Sequence, residues 1–162
     1  MDFVQQKASA GYLNGYADPE YIEDLPKFQL PMLGAGGTYR AFEIKGDSML
    51  PLPSGSAIIA EYVENWRNIK NGDTYVILSQ SEGVVYKRVF KEEDDKGHIR
   101  LKLVSDNKEY VPYFIEIEDV VEVWRSRMFL SKEFPQPQQE MTMDRLTSIV
   151  LDLQQEVMKL KK

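Results

Sequence analysis

The chain has 162 residues, of which 43% are hydrophobic, with a net charge of −6 and a pI near 4.9; this suits one domain with a core and argues against a broad basic face that grips nucleic acid. It has no cysteine and one histidine, which excludes disulfides, thiol nucleophiles, zinc–thiolate sites and histidine-based metal clusters, so neither a metal nor a cofactor is expected. No apolar run approaches the roughly 20 residues of a membrane span, and no signal peptide opens the sequence, so the expectation is a cytoplasmic protein without membrane contact.

Residues 1–17 read as an arm. Small residues in Ala8-Ser9-Ala10-Gly11-Tyr12 leave the backbone accessible, and Asn14-Gly15 signals a turn. Asp18 and Pro19 look like the cap and first turn of a short helix that Pro26 ends. The glycine-rich stretch 34–37 leads into a strand rather than a helix and lacks the Lys-Ser/Thr ending of a phosphate loop, so it reads as a connector. From Arg40 to Lys45 the residues alternate, with Phe42 and Ile44 on one face and Glu43 and Lys45 on the other, which is strand periodicity.

Gly46 breaks that strand and Asp47-Ser48-Met49-Leu50-Pro51 follows. A serine on a sharp turn at a strand end is presented for chemistry, although Gly-Asp-Ser is also ordinary turn material. Beyond it, Ser56–Tyr62 reads as a buried strand, Asn65–Gly72 as a helical turn or loop, and Thr74–Ser79 as a strand with a hairpin turn at Gln80–Gly83.

The next strand, Val84–Phe90, places Lys87 on one face with Val85 and Val89, 39 residues after Ser48. If that face is covered, the ammonium loses water and its pKa falls, and a neutral lysine can take a proton from a serine hydroxyl. If the other face is covered, Lys87 is a solvated strand lysine. Glu92–Gly97 reads as a charged hairpin loop, and Ile99, Leu101 and Leu103 are expected to point inward. His98 flanks the charged turn and reads as a surface imidazole, which removes it as a base. Val111–Ile117 and Val120–Leu130 are further strand-like runs. Many short strands at hairpin spacing make residues 18–131 a mainly β, antiparallel domain.

Residues 132–140 form a Pro/Gln linker, and 141–162 an amphipathic α-helix. Met143, Leu146, Val150, Leu153, Val157 and Leu160 recur at spacings of three and four, a coiled-coil seam. So short a helix needs a partner, either its own β domain or another copy.

Three patches in this order, Ala8-Ser9-Ala10-Gly11-Tyr12, Gly46-Asp47-Ser48-Met49-Leu50-Pro51 and Val84-Val85-Tyr86-Lys87-Arg88-Val89, resemble the LexA/phage-repressor self-cleaving domain over roughly residues 4–128. The resemblance implies a LexA/signal-peptidase-like β fold that forms a homodimer. It implies Ser48 as nucleophile, Lys87 as general base and Ala10–Gly11 as the bond cut, and makes the backbone N–H groups of Asp47 and Ser48 candidate oxyanion donors. It also implies an activated, RecA-like recombinase filament as the partner that favours cleavage and relieves repression in an SOS response.

Only about nine residues precede Ala10, so the helix-turn-helix through which such regulators bind DNA is not in this chain. The chain is then expected to be either a piece of a longer regulator or a stand-alone relative similar to UmuD, an accessory subunit of error-prone polymerases. Use of the same fold as a non-cleaving dimerisation and signal-binding module is a further possibility. Signal peptidases share a related Ser/Lys core but work from a membrane anchor.

Overall fold

The computed structural model describes residues 1–5, 22–33, 36–134 and 143–160. Its centre is one eight-stranded sheet built from β1 (Asp2–Val4), β2 (Tyr39–Glu43), β3 (Ala57–Tyr62), β4 (Thr74–Ser79), β5 (Gly83–Glu93), β6 (Ile99–Val104), β7 (Tyr113–Glu116) and β8 (Val120–Leu130). The spatial order is β1-β2-β3-β8-β4-β5-β6-β7. All neighbours are antiparallel except β1 and β2, which run parallel. One α-helix, α1 (Met143–Leu160), follows. The expected mainly β architecture with a C-terminal helix is therefore the observed one.

The last strand occupies the middle of the sheet. β8 pairs with β3 on one side and β4 on the other, so it is inserted between two strands that follow one another in the sequence. Strand alternation then divides the core in two. Val76, Leu78 and Trp124 join Val4, Phe42 and Ile58 in one cluster, while Tyr75, Ile77 and Val123 join Val89, Leu101 and Leu103 in the other. β4 is covered on both faces, which is why Tyr-Val-Ile-Leu shows no polar alternation.

Local departures from the sequence reading have simple causes. Ile99, expected inward, is 40% exposed because it opens β6 beside the hairpin turn, beyond the cover given to Leu101 and Leu103. Val111 is exposed and the strand begins at Tyr113. The β1 segment, read only as part of an arm, is a strand held by β2. His98 is exposed beside Asp94, as expected of a surface imidazole. The expected helix start at Asp18-Pro19 and the Ala10–Gly11 pair lie outside the described residues.

Candidate active site

The turn carrying Ser48 lies in the connection between β2 and β3. Its base is closed by Ile44 N–H donating to the Ser56 carbonyl (2.9 Å) and Gly55 N–H donating to the Ile44 carbonyl (2.9 Å). Gly46 has φ of +90°, a conformation that L side chains adopt rarely, and its N–H donates to Ser54 Oγ at 3.0 Å. Met49 is buried and anchors the turn, while Ser48 beside it stays partly accessible. Period-two burial stops at β2, and a glycine-started turn swings the serine back over the sheet.

Lys87 is fixed by sheet register. Across β4 it faces Tyr75. On its other side, β5 and β6 pair Arg88 with Val104 and Val89 with Leu103; continuing that register by one step sets Ser105 opposite Lys87. The face shared with Val85 and Val89 is the covered one. Lys87 is only 9% exposed, and burial pushes its pKa below the ordinary lysine value. Among the described residues no carboxylate forms an ion pair with it. The nearest π-face is Tyr110, whose ring centroid lies 5.6 Å from Nζ.

The two candidates meet. Lys87 Nζ lies 2.7 Å from Ser48 Oγ and 2.9 Å from Ser105 Oγ. As an ammonium, the lysine donates to both hydroxyls. As a neutral amine it accepts from Ser48 O–H at the same separation, which is the geometry a base needs to activate a serine. Ser48 and Lys87 also line one cleft of about 190 Å³, walled by Phe42–Gly46 on one side and Val84–Lys87 on the other, with Val76 and Met49 below. β6 pairs with β5 only from Arg88 onward, so Gly83–Lys87 is bonded within the sheet on its β4 side alone.

A second loop holds the serine turn. Asn107 N–H donates to the Ser48 carbonyl (3.0 Å), Asn107 Nδ2 donates to the Asp47 carbonyl (3.2 Å), and Tyr110 O–H donates to the Asp47 carboxylate. Arg88 in turn grips Asp106 through two parallel hydrogen bonds of 2.8 and 2.9 Å, a geometry that fixes direction as well as distance. The loop 105–110 is thus tied to β5 at one end and to the serine turn at the other. Because the Asp47 carbonyl points at Asn107, the Ser48 N–H, anti to it across a planar peptide, points away from that loop.

Residues 2–125 match the model of the peptidase S24-like family. The chain belongs to the peptidase S24-like family. This is the family of the C-terminal domains of LexA, UmuD and phage repressors, and the matched span contains Ser48, Lys87 and Ser105. Linker and helix α1 lie beyond it. No curated protein matches the chain.

Three contributors were missed in the sequence. Ser105 had a usable signal, because extending the Leu101, Leu103 alternation puts a hydroxyl on an inward position next to a candidate lysine. Asn107 and Tyr110 had none: they act through loop contacts to residues about 60 positions away, which no local pattern encodes.

Proposed function

We propose that this chain is the regulatory domain of a phage-repressor-like transcription regulator that cuts itself between Ala10 and Gly11. The observation that carries this reading is the 2.7 Å contact between a buried, desolvated amine and a turn-borne hydroxyl. In the reaction, Ser48 Oγ attacks the Ala10 carbonyl carbon while neutral Lys87 takes the hydroxyl proton. Backbone N–H groups at Asp47 and Ser48 receive the developing oxyanion. Collapse breaks the Ala10–Gly11 bond, and the Lys87 ammonium returns its proton to the departing Gly11 amine. A water, deprotonated by Lys87, then hydrolyses the Ala10 ester and restores Ser48.

A tethered substrate suits this cleft. The reaction is intramolecular, so positioning rather than affinity supplies much of the rate. The cleft is small and its walls mix apolar side chains such as Phe42, Val76 and Val85 with polar groups, a size that fits an Ala-Gly pair. The strand segment Gly83–Lys87 offers backbone groups on its open side to an extended peptide. A RecA-like filament acts as a regulator in this reading by preferring the docked form of the arm. DNA contact belongs to a helix-turn-helix outside this chain, in keeping with the acidic charge.

The test is incubation at mildly alkaline pH with mass spectrometry of the products. A break after Ala10, absent in Ser48→Ala, supports the reading. An intact wild type at high pH, with and without an activated filament, replaces it by the non-cleaving dimerisation module. A UmuD-like role requires that no in-frame helix-turn-helix precede the domain in the gene.

A further inference from the structure

Among the described residues, helix α1 carries apolar side chains that stay exposed. Val150, Leu151, Leu153, Val157 and Met158 are each about half exposed or more, from 49% to 69%. Apolar surface arranged along a single helix marks an interaction site, and the sequence specifies the occupant.

We propose that α1 pairs with α1 of a second copy as a parallel, two-stranded coiled coil. Two observations choose this occupant. In the heptad, Met143, Val150 and Val157 fall at a, and Leu146, Leu153 and Leu160 at d. Two β-branched a residues with leucine at every d are the combination that favours two parallel strands. The flanking charges agree. In the sequence heptad Glu156 falls at g and the following e position, outside the described residues, is Lys161, the opposite-charge g–e pattern that a parallel dimer matches twice by symmetry. An antiparallel pair in the register that sets Val157 against Leu146 would instead place Glu156 against Ile149, leaving that charge unmatched. The packing thus brings both copies of the helix in from the same end, with the two β domains side by side. It requires neither cleavage nor an occupied Ser48 cleft.

Because the chain has no cysteine, a single introduced thiol reports orientation cleanly. Val157→Cys, at an a position far from the helix midpoint, is expected to form a disulfide-linked dimer on mild oxidation. Cross-linking only when Val157→Cys is mixed with Leu146→Cys would overturn the parallel arrangement. In sedimentation equilibrium, Val150→Asp with Leu153→Asp is expected to weaken the dimer at least about 100-fold, since each change removes a buried apolar side chain from both strands. Leu151→Asp with Met158→Asp, both at outward b positions, is the charge-matched control and is expected to leave association unchanged. A dimer that survives the double substitution, equal loss from the b-position control, or a wild-type trimer or tetramer overturns the proposal. Retained far-ultraviolet β signal in each variant confirms that the sheet is intact.

Discussion

The two groups that meet at 2.7 Å are held in different ways. Lys87 sits inside a ladder, paired to β4 and bordered by β6, with buried Tyr75 and Val89 around it. Ser48 sits on a turn whose position depends on a handful of loop contacts from Asn107 and Tyr110. The amine is therefore placed by the fold as a whole, and the hydroxyl by a local brace. Desolvation of the amine follows from sheet packing and is hard to alter without unfolding. Alignment of the hydroxyl rests on hydrogen bonds that single substitutions remove.

The sharpest way to separate the two is to delete the chemistry and keep the fold. Lys87→Met and Ser48→Ala are each expected to lower self-cleavage by at least about 10⁴-fold, the scale seen when one member of a cooperating set is removed, as read by the appearance of the Gly11-started fragment in mass spectrometry. Both variants should retain the wild-type circular dichroism spectrum. Comparable cleavage in Lys87→Met would show that the buried amine is not the base.

Ser105→Ala tests the ladder side more gently. It removes one of the two hydroxyl partners of Lys87 and leaves the strands untouched. Cleavage is expected to slow by about 10–100-fold, with a changed pH dependence because the ammonium loses an acceptor. A rate loss without any movement of the pH profile would assign Ser105 to packing alone.

Asn107→Ala and Tyr110→Phe test the brace. Each removes hydrogen bonds that hold Asp47 and Ser48, at a stability cost of about 1 kcal/mol. The expected loss of rate is about tenfold, with the pH profile unmoved because Lys87 keeps its surroundings. Equal effects on profile and rate would erase the distinction between the two sides of the site.

That distinction also explains what the sequence disclosed. Strand alternation around Lys87 is imposed by burial that repeats every second residue, and the apolar run through Thr74–Ser79 by burial on both faces, so both were legible along with the mainly β class. The serine turn was legible because a glycine and a polar residue interrupt that period. Which face of β5 is covered was not legible, since both faces of the sheet carry a core and β5 supplies residues to both clusters. The insertion of β8 between β3 and β4 was equally hidden, because pairing between residues some 70 positions apart leaves no local trace. The 105–110 brace belongs to the same class of long-range contact.

The smallest effect is a pH dependence of stability that comes from Lys87 itself. Burial lowers its pKa in the folded chain below the unfolded value, so between the two values the unfolded chain binds more protons. Stability then rises with pH across that window. Below the folded pKa the lysine is charged in both states and the folded protein bears the full desolvation penalty; above the unfolded pKa, near 10.5, the penalty is gone. Lys87→Met lacks the ionising group, so the wild type should gain stability relative to this variant as the pH is raised toward 10.5. Urea unfolding of both proteins at several pH values reads the difference directly, with the Ser48→Ala background used for both to prevent cleavage. A difference that stays flat, or that falls with rising pH, would mean that the ammonium is stabilised where it sits. Lys87 would then be a fixed cation beside Ser48 rather than a base able to accept its proton.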